Sequence, residues 1–245
     1  MVSRRKTPVP MVTKSRRGRM NATGRSTGRA FVRVPHKLVF GLGSSRFQKL
    51  TGDAFDVLLM MLLINHQAQV FDKGCRYLAK AMKLHPGTVA RHVQTLIDQG
   101  AVRDLDGAKR RARTARQLSI ADAFWLGRNA KRPVYVAAYG DELRSAAWRC
   151  LPGDAKKALV VLRLRALEAG ADPVGGAADV AISSRDLAAS VGCSKRSGAR
   201  ALRALVEAGF IDDVEPPAWA ALARPGVYNV PMWMAPPEPA CQNPE

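Results

Sequence analysis

The stretch Leu78–Asp106, LAKAMKLHPGTVARHVQTLIDQGAVRDLD, reads as a helix, a tight turn, a second helix and then a strand that opens a hairpin. In the second helix Val89, Val93, Leu96 and Ile97 stand at i, i+4, i+7 and i+8, the spacing of one buried stripe. Pro86 suits a first helical position, where a missing N–H breaks no hydrogen bond. Gly100 is placed to stop the helix in a left-handed conformation. Away from the stripe lie Gly87, Arg91, Gln94 and Asp98, flanked by Thr88 and Thr95.

The pattern returns. Leu187–Asp213 reads LAASVGCSKRSGARALRALVEAGFIDD. At an offset of about 109 residues, Leu78, Ala79, Ala90, Arg91, Leu96, Gly100 and Asp104 meet Leu187, Ala188, Ala199, Arg200, Leu205, Gly209 and Asp213. An earlier echo, LTGDA from Leu50 and LPGDA from Leu151, has an offset shorter by about eight residues, so copy two carries an insertion, placed at ADPVGGAAD from Ala171. Two copies of one supersecondary unit follow. In this pattern the chain resembles the winged helix-turn-helix family of DNA-binding domains, in tandem, over roughly Leu50–Ile120 and Leu151–Met234. The fold class implied is mainly α with small β-hairpin wings: two winged helix-turn-helix domains in tandem.

Composition fits a polyanionic partner. The 245 residues carry a formal net charge of +19, which bears on partners and not on fold. Cys75, Cys150, Cys193 and Cys241 form no CxxC pair, so neither a disulfide framework nor a zinc site is expected, and a reducing cytoplasm fits. The longest apolar run, Val57–Ile64, is far short of the ~20 residues that cross a bilayer. The basic amino terminus has no apolar stretch after it and does not read as a secretory signal. The richness in Ala and Arg suggests a GC-rich bacterial genome.

Residues 1–30 read as a disordered basic arm, with no acidic residue before Asp53. A solubilising tail and a phosphate- or minor-groove-tracking arm are the alternatives. Residues 31–120 are read as domain 1, 121–140 as a linker, 141–234 as domain 2 and 235–245 as a disordered, Pro-rich tail. Phe31–Phe40 is expected to be extended and broken at Pro35, and Gly41–Ser45 a loop. A first helix over about Asp53–Gln67 is apolar nearly all round. Its excess would pack in its own core, on copy two or on a partner subunit, and a homodimer through domain 1 is a further expectation. Asp141–Cys150 is expected to be one helix. In the first helix of copy two, Lys156, Lys157, Arg163 and Arg165 are expected toward solvent or the helix edge.

The candidate nucleic-acid contacts come from the two second helices and the first wing. On copy one they are Gly87, Thr88, Arg91, Gln94 and Thr95. On copy two they are Lys195, Arg196, Ser197, Arg200 and Arg203, behind an expected cap at Ser194. Arginine suits bidentate contact to guanine or phosphate; an ordinary charged solvent face is the alternative. Between the strands expected at Ala101–Leu105 and Gln117–Ile120, the wing holds Lys109, Arg110, Arg111, Arg113 and Arg116, whose mutual repulsion an anion would relieve. Copy two has Gly192 where copy one has Lys83, so the familiar turn glycine is missing from copy one.

The chemistry of an enzyme is not in view. His36, His66, His85 and His92 form no HExxH or His-x-His cluster, and no Walker lysine or nucleophile elbow occurs. Neither a cofactor nor a small-molecule ligand is expected. The resemblance implies a sequence-specific reader of double-stranded DNA in the bacterial cytoplasm, associated with the nucleoid. A transcriptional regulator or a replication initiator of a plasmid or mobile element would fit. The alternative is a nonspecific architectural DNA- or RNA-binding protein.

Overall fold

The computed structural model describes residues 30–41, 44–65, 68–105, 117–124, 135–173, 175–215 and 225–232. These residues are mostly helical, with small antiparallel sheets. Among them one series of elements occurs twice. The first series is β1 (Phe31–Pro35), α1 (His36–Phe40), α2 (Ser44–Lys49), α3 (Gly52–Ile64), β2 (Val70–Phe71), α4 (Cys75–Met82), α5 (Pro86–Asp98), β3 (Val102–Asp104) and β4 (Leu118–Ile120). The second is β5 (Tyr135–Tyr139), α6 (Gly140–Arg144), α7 (Ala146–Cys150), α8 (Gly153–Glu168), β6 (Ala177–Ile182), α9 (Ser184–Val191), α10 (Lys195–Glu207), β7 (Asp212–Glu215) and β8 (Gly226–Pro231). In each, the last strand lies in the middle of a three-stranded sheet, β2-β4-β3 and β6-β8-β7. The repeat therefore starts earlier than the sequence echo at Leu50.

The two copies share one core. Helix α3 packs on α8, and both are buried almost all round. The apolar excess of α3 is thus covered by copy two of the same chain. At two places a residue meets its own repeat equivalent. Strands β1 and β5 pair antiparallel with Arg33 opposite Ala137, the middle residue of each. The glycines of LTGDA and LPGDA meet where α3 and α8 begin: a Cβ on Gly52 would lie 1.9 Å from the Gly153 carbonyl carbon. Equivalent residues in contact lie on a local two-fold axis, as at an isologous dimer interface.

Several expectations are corrected. Phe31–Phe40 is extended only to Pro35. His36–Phe40 is helical, with Pro35 (φ −66°, ψ 136°) as the hinge between strand and helix. Ser44 and Ser45 belong to α2, not to a loop. Asp141–Cys150 is two helices, because Ser145 is extended (ψ 155°) and its Oγ accepts from the Trp148 N–H at 3.0 Å to start α7. The end of the ADPVGGAAD insertion already belongs to β6, which starts at Ala177, and β5 lies within the stretch read as a linker.

The largest correction concerns the cations of α8. Lys156, Lys157 and Arg163 are 5%, 1% and 2% exposed, whereas Arg165 does face solvent. A helix at the centre of two copies is enclosed along most of its length, so the charges there must be paired inside. Lys156 Nζ meets Asp56 Oδ2 at 2.6 Å, and Trp148 Nε1 donates to Asp56 Oδ1 at 2.8 Å. Arg163 forks onto both Glu142 oxygens at 2.6 and 2.9 Å, and its Nε donates to the Pro231 carbonyl at 3.1 Å.

Candidate nucleic-acid interface

Each copy positions its second helix by the same local chemistry. In copy one α4 ends at Lys83, which takes the left-handed conformation (φ 56°, ψ 40°) despite its side chain. In copy two α9 ends at Gly192 in the same conformation (φ 80°, ψ 38°). The missing glycine has therefore not changed the turn; Lys83 carries the strain instead. His85 Nδ1 accepts from the Gly87 N–H at 3.1 Å to cap α5, with Pro86 in its first turn. Ser194 Oγ accepts from the Ser197 N–H at 3.1 Å to cap α10, and such a cap stabilises a helix by about 1 kcal/mol. Ser183 caps α9 likewise, and its hydroxyl also donates to Asp186 Oδ2 at 2.6 Å. Gly100 and Gly209 follow α5 and α10 at φ 68° and 69°.

The buried faces then fix the outer ones. Val89, Val93 and Leu96 anchor α5; Gly198, Ala201, Leu202 and Leu205 anchor α10. Gly198 lets α10 approach α9 closely, since a Cβ there would lie 2.6 Å from the Ser184 carbonyl oxygen. Gly87, Arg91 and Gln94 are exposed, and so are their equivalents Arg196, Arg200 and Arg203, with Lys195 beside them. Thr88, Thr95 and Ser197 are half-buried at the edges. Arg91 and Arg200 are the cationic pair that both faces share, and Asp98 and Glu207 the acidic one.

The polar residues on α5 are partly engaged. Gln94 Nε2 donates to Asp98 Oδ1 at 2.8 Å, and Thr95 Oγ1 to the Arg91 carbonyl at 3.1 Å. Among the described residues, Arg91, Lys195, Arg196, Arg200 and Arg203 make no ion pair. Glu207 is exposed on the same face as Arg203 without pairing to it. Neither α5 nor α10 has an acidic residue in its first turn, whereas α3, α8 and α9 hold Asp53, Asp154 and Asp186 there. The positive end of the α10 dipole is thus joined by Lys195 and Arg196, an arrangement that an anion would stabilise. Lys109, Arg110, Arg111, Arg113 and Arg116 and the arm over residues 1–29 lie outside the described residues.

What sequence reasoning missed is the support behind these faces. Lys157 Nζ donates to the carbonyls of Val191, Leu50 and Gln48 at 2.6, 2.8 and 3.3 Å, tying the α9 turn to copy one. Burial lowers its pKa to about 8, against the opposing pull of Asp154 and Cys193. Burial raises the Cys193 thiol, with Asp154 adding to the rise and Lys157 opposing it. Burial and then Asp213 raise the Tyr228 hydroxyl. Gln48 Nε2 donates to the Ala189 carbonyl at 2.9 Å, and its backbone lies against Gly192. The signals for this seam were the LTGDA/LPGDA echo and the all-round apolar character of the first helix.

Among the described residues no group of three His, Cys, Asp or Glu side chains could hold a metal ion, and no helix is long and apolar enough to cross a membrane. No protein-family model, curated protein or solved structure matches the chain.

Proposed function

We propose that the chain is a tandem winged helix-turn-helix protein that binds double-stranded DNA, with α5 and α10 as its recognition helices. One observation carries the reading: two repeat-equivalent helices expose equivalent faces, both centred on an arginine with no ion-pair partner among the described residues, in a chain of charge +19. A single α-helix fits the major groove, and arginine reads guanine O6 and N7 or clamps phosphate there. Copy two, with Arg196, Arg200 and Arg203, suits phosphate and guanine. Copy one offers a mixed face that suits base reading. The cationic wing from Lys109 to Arg116 and the basic arm add phosphate contacts.

The role that fits is a binding protein, not an enzyme, working at a bacterial nucleoid as a transcriptional regulator or as the replication initiator of a plasmid or mobile element. The test is duplex binding by fluorescence anisotropy with excess unrelated duplex as competitor, on sites first selected from random sequence. Arg91→Ala and Arg200→Ala should each weaken specific binding by about 1–3 kcal/mol while leaving the melting temperature unchanged. A complex that unrelated duplex displaces as readily as the selected site would favour an architectural protein instead. Parent-like binding by both variants would show that α5 and α10 are the wrong face.

A further inference from the structure

The recognition faces do not stand in an arbitrary relation. The β1–β5 ladder turns about the Arg33–Ala137 pair, and α3 crosses α8 where Gly52 meets Gly153. Both points bring a residue against its own equivalent, which a head-to-tail repeat cannot do and a two-fold axis must do. The contacts flanking that axis belong to the core. Asp56 of copy one holds Lys156 and Trp148 of copy two, and Lys157 of copy two holds the Gln48 and Leu50 carbonyls of copy one. Three of the buried charged residues of α3 and α8, Asp56, Lys156 and Lys157, thus bond across the copies, so neither copy can turn independently; the fourth, Arg163, pairs within copy two. Helices α5 and α10 pack on α3 and α8 respectively and inherit the same symmetry.

Resting on the DNA-binding reading above, we infer that one chain binds one inverted, imperfect repeat: two half-sites in opposite orientation, read by α5 and α10 and unequal where their faces differ. A two-fold pair of recognition helices matches the dyad of the duplex, with half-sites about one helical turn apart. Direct repeats within one site would need translational symmetry, which this core does not have. The inequality is written in the side chains. Arg91 and Arg200 are equivalent and would read the same base in both halves. Gly87 stands against Arg196 and Gln94 against Arg203, so the flanking positions differ. The chain is therefore a covalent pseudo-dimer with an asymmetric site, which gives it a fixed direction on DNA that a true homodimer on a palindrome lacks.

The experiment is selection of sites from a randomised duplex library with the full-length chain, in parallel with the double variant Gly87→Arg/Gln94→Arg, which copies the α10 face onto α5. The first change asks the exposed His85 ring to shift by a few tenths of an ångström, since a Cβ on Gly87 would lie 3.2 Å from it and meet nothing else. If that variant does not fold, the reciprocal Arg196→Gly/Arg203→Gln on α10 serves. The parent should select inverted, unequal half-sites sharing one base pair at equivalent positions, with one chain per site by analytical ultracentrifugation. The variant should select a site closer to a perfect palindrome and bind it at least tenfold better than the parent does. Half-sites in direct orientation, two chains per site, or an unchanged site for both face-swapped variants would each overturn the inference while leaving DNA binding intact. Failure of the parent to enrich any sequence would overturn the specific-binding reading itself, and the inference with it.

Discussion

Replacing Gly52 by alanine adds one methyl group where α3 crosses α8. Helix propensity alone favours the change, because alanine has less backbone entropy to lose, by about 0.4–1 kcal/mol. The surroundings say the opposite. The new Cβ would lie 1.9, 2.1 and 2.3 Å from the carbonyl carbon, oxygen and Cα of Gly153, all backbone atoms. Carbon atoms in contact sit about 3.5–4.0 Å apart, so the helices must part locally by roughly 1.5–2 Å. No rotamer change relieves a clash with backbone. Overpacking of cores commonly costs about 1–3 kcal/mol, and here the strain falls beside the Asp56–Lys156 pair, whose 2.6 Å contact spans the same seam. A net loss of about 3 kcal/mol is expected, read as a lower urea midpoint at unchanged slope. Gly74→Ala is the control, since a Cβ there meets nothing within 4 Å, and its change should stay within about 1 kcal/mol. If Gly52→Ala were as mild as Gly74→Ala, the two copies would not meet at a tight glycine crossing, and the two-fold argument would lose one of its two fixed points.

Three further outcomes are expected. Lys83→Gly should raise the melting temperature, with a gain of up to about 1 kcal/mol, because it removes the left-handed strain of a non-glycine residue; an unchanged or lower value would contradict this. Between pH 8 and 10.5 the unfolded chain holds a proton on Lys157 that the folded chain releases, so stability should rise with pH across that window, by up to about 3 kcal/mol. In Lys157→Met this part of the rise should vanish, and equal slopes in urea titrations of the two proteins would refute the assignment. Glu142→Gln leaves the Arg163 guanidinium buried without its counter-charge and should cost about 3–5 kcal/mol, whereas Glu142→Met/Arg163→Met together should recover most of it. A single variant as stable as the parent would show that the pair is hydrated.

The parts of the fold legible in the sequence are those with local signatures. The 3.6-residue stripe from Val89 to Ile97, the cap at Ser194 and the stop at Gly100 each lie within a few residues of what they determine. The strand pair after α5 follows from the same local reading. The β1–β5 ladder joins segments about 100 residues apart, and nothing near Phe31 or Tyr135 names the partner. Lys156, Lys157 and Arg163 were misplaced because an amphipathic reading puts every charge outside, a rule that fails for a helix enclosed by two copies. The left-handed Lys83 was opaque for the opposite reason: the turn that ends α4 takes there a conformation that the residue itself disfavours. The outer faces of α5 and α10 were readable as complements of their buried stripes; the seam that orients them was not.

Arginine footprinting tests the central claim most directly. Phenylglyoxal modifies exposed guanidinium groups, and mass spectrometry reads the rate at each arginine with and without a selected duplex. Arg91 on α5 and Arg200 on α10 should both be protected severalfold in a complex holding one chain per duplex, while exposed Arg165 on α8 keeps its free rate. Free-protein reactivity at both Arg91 and Arg200 in a saturated complex would contradict the account.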